Sequence, residues 1–183
     1  MMKKKIFLLV VFTLCIVKVD AISCYRVKKF KEQNLQKIYD ILKNKSNKCN
    51  FNGLVYIKFS RRALSVGRLQ QALWAARRSK KIYQSSSKFK HRFLEAIKLE
   101  TLTLIEKNQF HTAETILKKN ILIGSFKKES LTRTLARQRL FLLLLHLYKN
   151  TKLKSKKNFQ YIRKVFRYRY PKSSYLGLIN MKQ

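Results

Sequence analysis

Apolar residues recur at the spacing of an α-helix through the middle of the chain. The first apolar stripe consists of Phe89, Phe93, Ile97 and Leu104, with Leu94 and Ile105 beside it. The second stripe consists of Phe110, Ala113, Ile116 and Leu117, and Lys107-Asn108 supplies a turn between the two. The pattern predicts one long helix over Leu69–Glu106, with Ser85-Ser86-Ser87 as a polar step inside it, and a second helix over Gln109–Ile121.

A third helix is predicted farther along the chain. Gly124 suits the left-handed position just past a helix end, and Ser130 can cap the start of the next helix. This helix continues through Leu135 and the apolar run at 140–145, which is too short to span a bilayer and is expected to be buried. Helix breakers are scarce, with one Pro and four Gly in 183 residues. The sequence therefore predicts an all-α fold: a three-helix bundle over residues 67–148, made of a long helical hairpin and a third helix, with basic N- and C-terminal extensions.

Residues 1–21 have the pattern of a signal peptide. Lysines at 3–5 precede an apolar run at 6–17, and Ala21 offers a cleavage point, with Ser23 as the alternative. Residues 22–66 are basic, rich in Lys and Asn and poor in acids, which suits either a plastid transit peptide or an ordinary pair of N-terminal helices. We expect entry into the secretory pathway, with the stroma of an apicoplast-type plastid favoured and a secreted or periplasmic location as the alternative. Contact with a membrane is expected through the signal peptide alone.

The charge of the chain sets it apart from an ordinary helical bundle. It carries 43 Lys and Arg against 8 Asp and Glu, a formal net charge of +35, although 46% of its residues are apolar. Such a chain repels itself unless an anionic partner neutralises it, and nucleic-acid phosphates are favoured over an anionic membrane. The tracts 41–94 and 130–183 contain no acid and hold 14 Lys and Arg each. Because a merely soluble surface mixes both signs, these tracts favour a binding role.

Short motifs in the body of the chain resemble a ribosomal protein family. Ser79, Lys81, Ala96, Ile97 and Lys98 match the spacing in the long first helix of the bacterial and plastid small-subunit ribosomal protein S-twenty. Gly124, Phe126, Lys127, Lys128, Arg133 and Arg137 match its closing pattern. The match covers Gln71 to His146, and Glu129 stands where the family has Asn. The resemblance implies a three-helix bundle laid against ribosomal RNA, with a structural role in assembly of the small subunit.

The predicted RNA-binding residues are cations along this body. They are Arg77, Arg78, Lys80, Lys81, Lys88, Lys90, Arg92 and Lys98 on the first helix, and Lys127, Lys128, Arg133, Arg137 and Arg139 at the third. Contacts of Lys and Arg with phosphate position a protein but read little sequence, so specificity would come from the shape of folded RNA. Arg133 and Arg137 project from one helix face. The resemblance implies that their patch meets RNA and contributes little to folding.

A helical-repeat scaffold is the main alternative. The residues that fit one tetratricopeptide-like helix pair are Tyr56, Phe59, Ser60, Ala63, Gly67, Leu69 and Ala72. A weaker copy with Asn108, Phe110 and Ala113 follows 41 residues on, where the usual repeat length is roughly 34. A secreted scaffold of this kind would bind an acidic protein and keep residues 22–66 folded, whereas a plastid RNA binder would lose them. Membrane activity of cationic amphipathic helices is a third interpretation, which the continuous core disfavours.

The C-terminal extension, residues 149–183, mixes aromatic and basic side chains. Its rings include Tyr161, Phe166, Tyr168 and Tyr170. These rings could stack on unpaired bases. An amphipathic helix that ends at Pro171 explains the same pattern without a ligand.

The sequence offers no constellation for catalysis. His91, His111 and His146 stand alone, without Cys or carboxylate partners at metal-ligand spacing. There is no Gly-rich phosphate loop or nucleophile elbow, and the carboxylates are too few and scattered for a general acid and base. Cys24 and Cys49 could pair in an oxidising compartment or lie in a segment that is removed. We expect no enzymatic activity, cofactor, metal ion or small-molecule substrate, with ribosomal RNA and the small ribosomal subunit as partners.

Overall fold

A computed structural model describes residues 35–44, 52–122, 130–153 and 155–180. The helices in these ranges are α1 (Leu35–Asn44), α2 (Gly53–Ser65), α3 (Leu69–Tyr83), α4 (Lys90–Glu106), α5 (Phe110–Leu122), α6 (Leu131–Asn150), α7 (Lys156–Arg169) and α8 (Leu176–Asn180). No strand occurs in them, so the predicted all-α class is confirmed for the part of the chain that the structure describes. The predicted signal peptide, Cys24, Cys49, Lys127 and Lys128 lie outside the described residues.

The chain forms two compact units, Met1–Val55 and Tyr56–Gln183. In the first unit, α1 buries Ile38 and Leu42. The side chain of Asn52 accepts hydrogen bonds from the backbone N–H groups of Leu54 and Val55, at 3.1 and 3.3 Å. These bonds cap the start of α2, because the first N–H groups of a helix have no partner within it.

The second unit begins at Tyr56, within α2. Ile57 and Phe59 are fully buried. Ile57 packs with Ala76 of α3 in a small core cluster. The C-terminal part of the segment that the sequence pattern assigned to a presequence therefore supplies packing for the second unit.

The predicted long helix over Leu69–Glu106 is wrong, because the chain interrupts it at residues 84–89 and packs α4 against α3. Serine side chains compete for backbone hydrogen bonds, which makes them weak helix-interior residues. Here the Oγ of Ser86 accepts a hydrogen bond from the N–H of Phe89 at 3.2 Å, just before α4 begins. The segment 67–148, predicted as a three-helix bundle, consequently contains α3, α4, α5 and all but the last two residues of α6.

Two aromatic rings and an arginine hold α3 and α4 together at this interruption. The ring centroids of Tyr83 and Phe89 are 6.0 Å apart. The guanidinium of Arg92 lies 4.7 Å from the Phe89 centroid and 5.8 Å from the Tyr83 centroid, and it donates a hydrogen bond to the Tyr83 hydroxyl at 3.2 Å. Cation–π contacts at exposed sites contribute roughly 0.5–1 kcal/mol each. Arg92, which was predicted to bind RNA, therefore stabilises the packing of α4 against α3.

The turn from α2 to α3 and the turn from α4 to α5 share one backbone geometry. Gly67 and Asn108 occupy them in the left-handed region, with φ of 74° and 58°. The matching backbone hydrogen bonds run from Arg68 to Ala63 and from Gln109 to Leu104, both at 2.8 Å. The two left-handed residues lie 41 positions apart, at the spacing predicted for the tetratricopeptide-like pair and its copy.

The C-terminal extension packs against α6 as the helix α7. The ring of Phe141 in α6 lies 5.6 Å from that of Phe166 and 5.8 Å from that of Tyr170, measured between centroids. Phe166 and Tyr170 are core residues, whereas Tyr161 and Tyr168 are 59% and 88% exposed. The amphipathic helix that explained the aromatic pattern is confirmed, and two of the four rings are used in packing.

Gly67→Ala is expected to destabilise the protein by about 1 kcal/mol, since an L-residue in the left-handed region costs roughly 1–2 kcal/mol. A Cβ at Gly67 would meet nothing within 4 Å, so the cost comes from the backbone alone. Gly177→Ala is the matched control: its Cβ also meets nothing within 4 Å, and it lies in α8, where Ala is favoured over Gly. Thermal unfolding followed by circular dichroism compares the two variants, and equal effects would contradict the turn geometry.

Candidate nucleic-acid interface

Three carboxylates of α4 and α5 are bound to cations of the second unit. The ion pairs are Glu95 with Arg61, Glu100 with Arg77 and Lys80, and Glu114 with Lys118. The first joins α4 to α2, the second joins α4 to α3, and the third lies along α5. The tracts on either side contain no acid of their own, so they leave the second unit with an excess of positive charge.

Glu100 is the most deeply buried of these carboxylates, with 2% of its side chain exposed. Its Oε1 accepts a hydrogen bond from the Nε of Arg77 at 3.0 Å, and its other oxygen contacts the ammonium of Lys80. A buried carboxylate is costly unless it is paired and hydrogen-bonded. Arg77 and Lys80, both predicted to bind RNA, therefore stabilise the contact between α3 and α4. The Arg77 side chain nevertheless stays 54% exposed.

The outward side of α3 carries a groove of about 330 Å³, which we call the tryptophan groove. It is lined by Gln70, Leu73, Trp74, Arg77, Arg78 and Lys81. Arg78 and Lys81 are exposed and follow Trp74 at helical spacing along this side. Trp74 was not among the predicted site residues. The signal that could have found it is a single tryptophan placed three and four residues before an arginine pair.

A second cavity, of about 310 Å³, lies between α2, α4 and α6, and we call it the basic cleft. Its lining residues are Arg61, His91, Leu94, Glu95, Lys98, Leu131, Thr132, Leu135, Ala136 and Arg139. Three helices thus each bring a cation to one cavity, namely Arg61, Lys98 and Arg139. The structure brings the predicted residues Lys98 and Arg139 together here. Arg61 was missed because it lies in the segment assigned to a presequence, and His91 because it stands alone in the sequence.

The pKa of Lys98 is affected by the positive charges that line the basic cleft. Partial burial lowers the pKa of its ammonium group, and the charges of Arg139 and Arg61 lower it further. Within the described residues, no carboxylate lies at ion-pair distance from Lys98 or Arg139. Glu95, the carboxylate in the lining, is bound by Arg61. An anionic group that enters the cleft would relieve the repulsion between Lys98 and Arg139.

A further group of predicted residues lies between the starts of α4 and α6. The Nζ of Lys90 is 4.2 Å from the Phe93 ring centroid, and that of Lys88 is 5.6 Å from the Phe89 centroid. Partial burial lowers the pKa of Lys90, and the nearby charges of Arg133 and Arg137 add to the effect. Lys90 therefore extends the positive region next to the cleft.

Arg137 contributes to folding, contrary to the prediction that the patch of Arg133 and Arg137 contributes little. It is 4% exposed, and its Nη1 donates a hydrogen bond to the carbonyl of Asn120, near the end of α5, at 2.8 Å. A helix C-terminus leaves carbonyls without partners, so this bond stabilises the packing of α6 on α5. Helical spacing places Arg133 and Arg137 on one face, but it does not tell which neighbour that face meets. Arg139, two residues on, is exposed and reaches the basic cleft.

Comparison of the chain with protein-family models, with curated proteins and with solved structures finds no match. The resemblance to ribosomal protein S-twenty therefore stays a prediction. Across the described ranges, no three His, Cys, Asp or Glu residues are grouped so that they could hold a metal ion. The same ranges contain no helix that is long and apolar enough to cross a membrane. Chemically, the groove and the cleft offer binding of anionic groups.

Replacing both Arg77 and Lys80 with Gln is expected to destabilise the protein by about 3 kcal/mol, the low end of the range for leaving a buried charge unpaired. The low end applies because both cations keep part of their hydration in the folded state. Adding Glu100→Gln should restore most of the loss, since a neutral amide does not need the cations. Urea unfolding of the double and triple variants measures these free energies.

The control removes the same charge from the exposed side of α3. Arg78→Gln with Lys81→Gln should change the free energy of unfolding by less than about 0.5 kcal/mol, as expected for surface positions. A double variant at Arg77 and Lys80 that unfolds like this control would contradict the buried ion pair.

Proposed function

We propose that this protein is a structural RNA-binding protein that binds phosphate groups of folded RNA in its basic cleft. The observation that carries the proposal is the meeting of Arg61, Lys98 and Arg139 in one cavity whose single lining carboxylate, Glu95, is bound by Arg61. A partly buried Lys beside two arginines opposes folding. Groups held in such an unfavourable setting are typical of binding sites, where a ligand supplies the missing interaction.

RNA is favoured over other anions by the extent of the positive surface. Cations border the cleft, the start of α4 and the outward side of α3. A polymer with one phosphate per nucleotide can make several such contacts, and each contact adds affinity by releasing counterions. Folded RNA also offers the shape recognition that such phosphate contacts require for specificity.

More specifically, we propose that the bound RNA is the ribosomal RNA of the small subunit, in a plastid that proteins reach through the secretory pathway. It is supported by the resemblance of Gln71–His146 to ribosomal protein S-twenty and by the leader pattern of residues 1–21. The interruption between α3 and α4 departs from the family's long first helix. The resemblance consequently supports an RNA-binding role in assembly rather than a particular way of docking.

A helical-repeat scaffold for an acidic protein is the second candidate. Its support is the repeated left-handed turn at Gly67 and Asn108. The hydroxyl of Ser60 also donates a hydrogen bond to the Ala72 carbonyl at 2.9 Å, so small residues bring α2 and α3 close together. In this candidate a carboxylate-rich segment of a secreted partner would occupy the basic cleft.

Lys98→Met is expected to weaken binding of a structured RNA roughly tenfold, the loss expected for one charge-assisted contact. The same change should raise the melting temperature by about 2 °C, because removing a repelled, partly buried charge is a small stabilisation. Filter binding and thermal unfolding measure the two effects. A fall in RNA affinity together with a rise in melting temperature identifies Lys98 as a binding residue, because a residue that stabilises the fold would lower the melting temperature when removed.

Lys118→Met is the matched control. The carboxylate of Glu114 raises the pKa of Lys118 through a hydrogen bond, so this lysine stabilises the fold. Its loss should lower the melting temperature only slightly, since an exposed ion pair is worth ~1 kcal/mol or less. RNA affinity should stay within about twofold, because Lys118 lines neither the basic cleft nor the tryptophan groove. A Lys98→Met variant that binds RNA as well as the unmodified protein would contradict the proposal. One that loses RNA binding but holds an acidic peptide equally well would contradict the scaffold alternative.

The stabilisation by Lys98→Met should also depend on pH. The pKa of Lys98 is lowered from 10.5 in the folded state. The penalty that its charge imposes on folding is therefore full below this lowered pKa. It is lost as the pH rises towards 10.5, because neutral Lys98 no longer repels its neighbours. The difference in melting temperature between variant and unmodified protein should accordingly shrink from neutral to alkaline pH.

A further inference from the structure

The flat aromatic ring system of Trp74 lines a groove together with several cations. Its ring system packs against that of Tyr56 in a T-shaped arrangement, with centroids 5.7 Å apart and an interplanar angle of 68°. Tyr56 is 2% exposed and anchors this contact in the core of the second unit. The Trp74 side chain is partly exposed and lines the tryptophan groove beside Arg78 and Lys81.

We propose that the tryptophan groove binds an unpaired nucleotide of single-stranded RNA, with its base stacked on Trp74 and its flanking phosphates held by Arg78 and Lys81. This inference rests on the proposed function and adds a second mode of contact to it. Stacking on an aromatic ring tolerates every base, because every base has a π-face. The contact to Tyr56 fixes the indole in place, so little side-chain freedom remains to be lost on binding.

The composition of the groove favours a nucleotide over a purely anionic ligand. Leu73 and Trp74 give it an apolar wall, which a phosphate chain would not use. Its volume of about 330 Å³ is at the small end of ligand sites in proteins, which suits one nucleotide rather than a duplex. The cations follow the tryptophan along α3, over a distance of roughly 10 Å at 1.5 Å per residue, so adjacent phosphates can reach them.

The test uses the intrinsic fluorescence of Trp74, which is the only tryptophan in the sequence. The full chain is titrated with single-stranded oligoadenylate and, in parallel, with inorganic polyphosphate of the same number of phosphates. Both polymers should bind, but only oligoadenylate should change the tryptophan emission, because only it has rings to stack. Binding of both without any change in emission would overturn the stacking inference and leave the proposed function standing. Binding of neither polymer, together with no binding of structured RNA, would overturn both.

Two variants separate stacking from packing. Trp74→Leu keeps an apolar side chain against Tyr56 but has no π-face, whereas Trp74→Phe keeps a ring. Affinity for oligoadenylate should fall about tenfold in Trp74→Leu and by less than about threefold in Trp74→Phe, since stacking on one base accounts for an effect of that size. Affinity for polyphosphate should stay within about twofold in both variants. Equal losses in the two variants, or equal losses for the two polymers, would overturn the inference.

Discussion

The ion pair of buried Glu100 with Arg77 and Lys80 is the interaction on which the arrangement of both basic surfaces depends. It fixes α4 against α3 after the chain has reversed at residues 84–89. With α3 held in this way, its outward side forms the tryptophan groove. With α4 held in this way, Lys98 lines the basic cleft together with residues of α2 and α6. One carboxylate thus organises two separate positive regions in a chain that has few acids.

Because acids are scarce, Lys98 and Arg139 have no carboxylate at ion-pair distance in the part of the chain that the structure describes. Glu95, Glu100 and Glu114 are each bound by Lys or Arg within the second unit. Pairing stabilises the charged form of Glu114. Burial alone would raise the pKa of this carboxylate, but its hydrogen bonds with Lys118 and Tyr148 lower it. Lys98 and Arg139 are in the opposite situation, with repulsion in place of pairing. We interpret this contrast as a division between cations that stabilise the fold and the cations that we propose bind phosphate.

The features that a local rule determines were predictable from the sequence. The turn at Lys107-Asn108 and the all-α class follow from apolar spacing and from the scarcity of Gly and Pro. The interruption between α3 and α4 was missed because the apolar stripe resumes with Phe89 and Phe93, so a helical pattern continues across a break that the serines create. The burial of Arg137 and the partial exposure of Trp74 depend on which helix packs against which face. Neither can be derived from the spacing of residues along one helix.

The measurement that tests the RNA-binding account most directly is the salt dependence of affinity for a structured RNA. A protein that neutralises 6–10 phosphates should lose about 10³–10⁵ in affinity between ~50 and ~200 mM salt, because each contact releases counterions. Replacing both Lys98 and Arg139 with Gln should make the slope of log affinity against log salt shallower by about 1.8 for a duplex-like RNA, that is ~0.9 for each lost contact. We predict a steep slope in the unmodified protein and this reduction in the variant. An affinity that barely changes over the same range of salt would contradict the account.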